Sequence, residues 1–180
     1  MHTIDPITLE VLKNALSSIA DEMALVLMRS AYSPIVRDSM DYSTALCDRD
    51  GKVIAQGLTL AVQLGAFPDA MQHLLAQYAG DMLAGDVFIM NDPYGGGGQH
   101  LPDIYIIKPL FWQGGIEAYA CTMAHHSDVG GITPGSVAIH ATDVFQEGLR
   151  LPFVKFHQKG VPNDAVLRII EKNTRQPIQV

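Results

Sequence analysis

The chain has 180 residues, 48% hydrophobic and 17% charged, which is enough to bury a substantial core and slightly apolar for a monomer exposing its whole surface. Its formal net charge of −7, with no basic run or arginine cluster, argues against nucleic acid or an anionic membrane as partner. The two cysteines, Cys47 and Cys121, make no disulfide framework, the N-terminus shows no signal peptide, and no apolar run approaches ~20 residues, so the chain reads as cytoplasmic with no membrane span.

The first element is a helix of about 25 residues, about 38 Å long. Asp5 can cap it, Pro6 suits its first position, and Ile4 can staple against Leu9. Val11/Leu12, Ala15/Leu16, Ile19, Met23 and Val26/Leu27 keep a helical period until Ser33-Pro34 ends it. A helix this long often crosses a whole domain or reaches a neighbouring subunit. A hairpin follows: Tyr42 to Cys47, the turn Asp48-Arg49-Asp50-Gly51, then Lys52 to Gln56. The turn begins like a calcium loop but lacks the later ligands, so a plain turn is the better reading. Phe67 to Tyr78 predicts a second amphipathic helix and Val87 to Met90 a short buried strand.

Two apolar stretches, Ile104 to Trp112 and Ile116 to Ala124, flank Gln113-Gly114-Gly115 and predict a second hairpin. If Gln113-Gly114 is the turn pair, His125 lies opposite Pro102; if Gly114-Gly115, it lies opposite Ile104. Leu149 to Phe156 predicts a strand, and Asn163 to Asn173 a last helix capped by Asn163 or Asp164. Together these elements predict one domain over residues 1–180. It is an α+β fold, with the long N-terminal helix packed on a mixed, largely antiparallel sheet of hairpins and additional helices. The chain stops after Arg175-Gln176-Pro177-Ile178-Gln179-Val180 without an obvious closing element, the pattern of a piece of something longer.

Either hairpin register brings His125 beside the turn His100-x-x-Asp103. On a strand, residues three apart face opposite sides, but Pro102 and the preceding Gly95 to Gly98 make a turn there, where the two side chains can converge. His100, Asp103 and His125 can coordinate a divalent metal while leaving positions open for water or substrate. The competing reading is a hydrogen-bonded polar turn at the foot of a hairpin. His126 should point away from His125 along a strand, unless the strand has already ended, and reads as a donor to the site or a core histidine. Asp128 is a candidate to orient a ligand imidazole or to act as general base. His73, His140 and His157 read as structural or solvated, and Asp38 and Asp41 as carboxylates that can face the site. The Gly-rich loop lacks the Gly-Lys-Ser/Thr of a phosphate cradle and reads as backbone freedom beside a site.

The ordered strings Asp41-Tyr42-Ser43-x-Ala45-Leu46-Cys47-Asp48, Ala55-Gln56-Gly57, Asn91-Asp92-Pro93-Tyr94, His100-Leu101-Pro102-Asp103 and Ala124-His125-His126-x-Asp128-Val129-Gly130-Gly131 resemble the hydantoinase B/oxoprolinase family. Pro134-Gly135-Ser136, Glu147-Gly148 and Asn173-x-Arg175-x-Pro177 continue the resemblance, which runs through nearly the whole chain. It corresponds to the N-terminal part of a larger subunit. The resemblance implies a divalent metal on His100, Asp103 and His125, manganese first, with zinc or iron as alternatives. It also implies an ATP-binding A-type partner in a hetero-oligomer, so that ATP binds the partner and not this chain. Asp128 and His126 become the candidate catalytic residues in hydrolysis of a cyclic amide activated by phosphorylation. The nearest alternative is an acetone- or acetophenone-carboxylase-type subunit acting on a ketone with ATP and bicarbonate. A non-catalytic assembly fragment, docking through the first helix, is a third. Two departures stand out: Thr59-Leu60-Ala61-Val62-Gln63 replaces the His-x-Pro-x-His segment of many relatives, and the loop before His100 is longer and richer in glycine.

Overall fold

The long helix α1 (Pro6–Ser30) starts where its first orphan amides find an acceptor: Asp5 Oδ1 accepts from Ile7 N and Thr8 N at 3.0 Å each. It ends as Ala31 turns extended ahead of Ser33-Pro34, and a four-residue helix, α2 (Pro34–Arg37), follows under a Ser33 cap. The computed structural model describes residues 4–59 and 65–177. The extreme N-terminus and most of the Thr59-to-Gln63 departure therefore lie outside the described residues.

Seven strands form one sheet in the order β2-β1-β5-β4-β3-β6-β7. They are β1 (Tyr42–Asp48), β2 (Val53–Gln56), β3 (Val87–Met90), β4 (Asp103–Trp112), β5 (Gly115–His125), β6 (Val154–Gln158) and β7 (Val161–Pro162). Every pairing between described strands is antiparallel, which corrects the expected mixed character of the sheet. Helices α3 (Phe67–Tyr78) and α4 (Asp164–Asn173) complete the α+β architecture.

Period-2 alternation assigns the two faces of the sheet. Cys47, Tyr105, Ile107, Cys121 and Met123 pack with Phe67, Met71 and Leu74 of α3 in the larger core. Ile104, on the opposite face, joins Ile89, Leu101, Val129 and Val166 of α4. On that same face Leu46 and Ala55 meet Ala20 of α1, where the small residue lets Thr44 Oγ1 reach the Ala20 carbonyl at 2.9 Å. Much of α1 away from this seam stays exposed, Ile7 by 78% and Val26 by 66%. Among the described residues no helix is long and apolar enough to cross a membrane.

Two expectations need correcting. The β4–β5 turn is Gln113-Gly114, both at positive φ (48° and 86°). The register then shifts between Leu110 and Phe111, with Glu117 as the extra residue, so His125 pairs with Asp103 rather than with Pro102 or Ile104. The predicted strand from Leu149 begins only at Val154 and runs on to Gln158. Asn91 holds the earlier segment in a different pattern, its Oδ1 accepting from Leu151 N at 2.6 Å, and Pro152 has no amide to give a ladder.

Candidate functional site

The sheet order places β5 between β1 and β4, both antiparallel to it. The C-terminal end of β5 therefore meets the N-terminal ends of both neighbours, and chemistry carried by three distant segments gathers at one edge. His125 closes β5, Asp103 opens β4 opposite it, and Asp41 immediately precedes β1. The His125 amide donates to the Asp41 carbonyl at 3.0 Å. His100 is folded back onto Asp103 by a tight turn in which Asp103 N donates to the His100 carbonyl at 3.1 Å.

Within this group the His100 Nδ1 lies 2.8 Å from Asp103 Oδ2, and the His100 and His125 ring centroids are 5.0 Å apart. The Asp103 side chain is 3% exposed and that of His100 is 43% exposed, so the cluster is buried on one side and open on the other. The Asp103 carboxylate raises the His100 pKa; burial works against this, and Asp41 adds a smaller upward pull. Asp41 is thus a carboxylate within electrostatic reach of the cluster.

His100 Nδ1, Asp103 Oδ1, His125 Nδ1 and Tyr105 Oη are buried without an aligned hydrogen-bond partner among the described residues. Buried polar atoms are nearly always satisfied, so four at one strand end call for an explanation. Among the described residues no three His, Cys, Asp or Glu side chains surround a common point closely enough to hold an ion as they stand. The donor types, two imidazoles and a carboxylate, are ones a divalent cation takes, and the 2.8 Å between His100 Nδ1 and Asp103 Oδ2 is the distance of a direct imidazole–carboxylate contact. Tyr105 was not anticipated from sequence; burial and then the Asp103 charge raise its pKa well above the ordinary tyrosine range.

His126 follows the last residue of β5; its amide donates to Pro102 O at 2.8 Å, and it lines, with His125, a cleft of about 210 Å³ beside the end of α1. Burial, then proximity to His125, lowers the His126 pKa to about 4, so the ring is neutral near pH 7. Asp128 has its carboxylate already engaged. Oδ1 accepts from Gly130 N at 2.8 Å, while Oδ2 accepts from Gly135 N at 3.1 Å and from Arg175 Nη1 at 2.8 Å. These contacts outweigh its burial and lower its pKa. That geometry suits a residue that fixes the loop after His126 better than one that takes protons. His73 and His140 are exposed and His157 half-buried, away from the cluster. Cys47 and Cys121 are both fully buried in the core, as expected for inert thiols.

The sequence pattern of the family described as hydantoinase B/oxoprolinase matches residues 5–180. An uncharacterised protein of Methanocaldococcus jannaschii is 38% identical over 97% of this chain and 31% of its own length. The putative D-/L-hydantoinase B subunit of a Pseudomonas species is 35% identical over 98% of this chain and 31% of its own length. The caprolactamase beta subunit of Pseudomonas jessenii is 33% identical over 97% of this chain and 30% of its own length. The chain thus spans about a third of the length of these relatives. Among solved structures, the ATP-dependent caprolactamase of Pseudomonas jessenii superposes with a TM-score of 0.86 at 29% identity, over 97% of this chain and 30% of that one. Nucleotide-free acetone carboxylase gives 0.87 at 22% identity, over 93% and 22%, which demonstrates the shared fold.

Proposed function

This chain belongs to the hydantoinase B/oxoprolinase family, and from that membership we propose that it is the metal-bearing part of the B subunit of an ATP-dependent cyclic-amide hydrolase. The observation that carries the reading is the pair of buried atoms without a hydrogen-bond partner among the described residues, Asp103 Oδ1 and His125 Nδ1, gathered with His100 where β4 and β5 meet. His100, Asp103 and His125 would hold the ion, manganese first, with zinc or iron as alternatives. A divalent cation there supplies charge that polarises a carbonyl and lowers the pKa of water.

The chain's own residues set up that chemistry. Asp103 is fixed from two directions, by the turn to His100 and by the pairing with His125, so the acidic donor cannot drift. His126, neutral by burial, presents a hydrogen-bonding ring without adding charge at the mouth of the cleft. Asp128 and Arg175 hold the loop that follows. Two relatives are named as subunits, which implies a partner. We assign to that partner, of the A type, the binding of ATP and the phosphorylation of the substrate oxygen. The activated amide then passes to this chain's site for ring opening.

Metal content measured by inductively coupled plasma mass spectrometry tests the reading, on the parent chain and on His100→Ala and His125→Ala. The expected result is near-stoichiometric divalent metal in the parent, lost in both variants with circular dichroism unchanged. Absence of uptake after reconstitution with manganese, zinc and iron would remove the three-residue site. With the cognate partner added, ring opening without bicarbonate supports the hydrolase. Incorporation of labelled bicarbonate would point to a carboxylase, and a loaded site without turnover to an assembly role.

A further inference from the structure

Tyr105 is fully buried, yet its hydroxyl has no hydrogen-bond partner among the described residues. Its neighbours make that costly. Met90 on β3 and Met123 on β5 are its partners across the two ladders, and both are fully buried. Ile107 lies two residues ahead on the same face of β4. The Phe67 ring of α3 meets the Tyr105 ring edge-on, with centroids 5.7 Å apart. All four neighbours are apolar. A phenylalanine would fill this place without any polar group to satisfy, whereas an unpaired hydroxyl in such a core is destabilising.

Asp103 lies on the same face, two residues back along β4. Its carboxylate is the charge that acts on the Tyr105 hydroxyl. Asp103 Oδ2 faces His100 Nδ1 at 2.8 Å, while Oδ1 is buried and has no hydrogen-bond partner among the described residues. A tyrosine hydroxyl has one hydrogen to donate, and a carboxylate oxygen has lone pairs for a donor and an ion together. The two unpartnered atoms are thus complementary, a donor and an acceptor on one strand face. They do not bond each other directly, so the link open to them is a buried water shared by both.

We propose that Tyr105 is a positioning residue for the Asp103 carboxylate: its hydroxyl donates to a bridging water, which donates in turn to Asp103 Oδ1. The inference rests on reading His100, Asp103 and His125 as the metal site. Held at Oδ2 from the His100 turn and at Oδ1 from the core, the carboxylate keeps one plane and cannot rotate away from the ion. A partner that orients a ligand in this way raises metal affinity without touching the metal.

Tyr105→Phe removes the hydroxyl and keeps the ring. Ile107→Val, which trims the same apolar core without altering a polar group, is the control for loosened packing. Manganese dissociation constants are read on the full chain by competition with a fluorescent chelator, beside urea midpoints that report folding. The expected result is about tenfold or greater loss of manganese affinity in Tyr105→Phe, with affinity unchanged in Ile107→Val. A crystal structure of the metal-free parent should show one ordered water within hydrogen-bonding distance of both Tyr105 Oη and Asp103 Oδ1. Unchanged affinity in Tyr105→Phe, an equal loss in Ile107→Val, no ordered water at that place, or a Tyr105 hydroxyl bonded elsewhere overturns the proposal. If Tyr105→Phe fails to fold, the bridging water decides. A parent that takes up no metal removes the reaction centre, and the bridge then stands or falls on the crystal structure alone.

Discussion

Asp103 and His125 are direct cross-strand partners, although the Gln113-Gly114 turn taken alone would place Pro102 opposite His125. The difference is one bulged residue, Glu117, near the far end of the same hairpin. Partner residues on antiparallel strands project to the same face, so the bulge puts a carboxylate and an imidazole side by side at the strand end. A small irregularity near one end of the hairpin thus decides what the other end can bind.

Asn91 makes this arrangement rigid. Its Nδ2 donates to Leu101 O at 2.6 Å and Leu149 O at 2.9 Å, and its Oδ1 accepts from Leu151 N, tying the His100 turn to the segment before β6. Asn91→Ala leaves buried backbone groups unsatisfied and should cost about 3 kcal/mol or more in urea denaturation. Affinity at the proposed metal site should fall about tenfold with it, because the turn that aims His100 loses its support. Unchanged stability would mean the three bonds are replaceable by water.

Asp128 and Arg175 give a contrast between support and chemistry. Arg175→Ala removes one partly exposed ion-pair partner and should cost only about 1 kcal/mol. Asp128→Ala also orphans Gly130 N and Gly135 N and should cost more, about 3 kcal/mol. Denaturation midpoints order the two variants. Turnover lost in Asp128→Asn with an unchanged midpoint would instead assign Asp128 to proton transfer.

Acid sensitivity should trace to Asp86, which is fully buried. Its Oδ1 accepts from Lys159 N at 2.8 Å, and its Oδ2 accepts from Leu83 N at 3.0 Å and lies 3.1 Å from Lys155 Nζ. Burial alone would raise its pKa; the two amides and Lys155 more than offset this and lower it. A carboxylate with a lowered folded pKa stabilises fully above the unfolded range, near pH 4, and that contribution disappears as pH falls through the folded value. Lys155 is raised, so its contribution is fully present below the ordinary lysine pKa and is lost only as pH rises through the folded value, leaving its own titration outside the acid window. Urea midpoints between pH 7 and pH 2 should therefore drop steeply for the parent and more gently for Asp86→Asn, which starts lower.

Gly97 should tolerate no side chain. It sits at φ 75°, and a Cβ there would stand 2.8 Å from Ala70 N and from the Asp69 carbonyl carbon, at the start of α3. Gly97→Ala should cost about 2 kcal/mol or more, from the strained backbone and the contact with helix backbone that cannot yield. Gly114→Ala is the control: its φ is similar, but nothing lies within 4 Å, so it should cost less. Equal losses would show that conformation alone matters at both positions.

The local signals in the sequence had local physical causes, and those elements were legible. Asp5-Pro6 and Ser33-Pro34 bound α1, apolar spacing gave α3 from Phe67 to Tyr78, and Asn163 caps α4. The ordered motifs likewise carried the family. What the sequence left open depends on contacts between distant segments. A bulge at Glu117 costs nothing that composition records, so the pairing of Asp103 with His125 was one residue out of reach. The strand expected from Leu149 yielded to Asn91, about sixty residues away, whose side chain competes for the same backbone. Asp128, read as a base or an orienting group, is held by Arg175 at the far end of the chain. Asp41, Asp103 and His125 lie in three separate segments, and only an antiparallel sheet with β5 between β1 and β4 brings their strand ends to one edge. Residue chemistry and local capping are written in the sequence, whereas register, convergence and the cleft beside His125 arise when the strands assemble into the sheet.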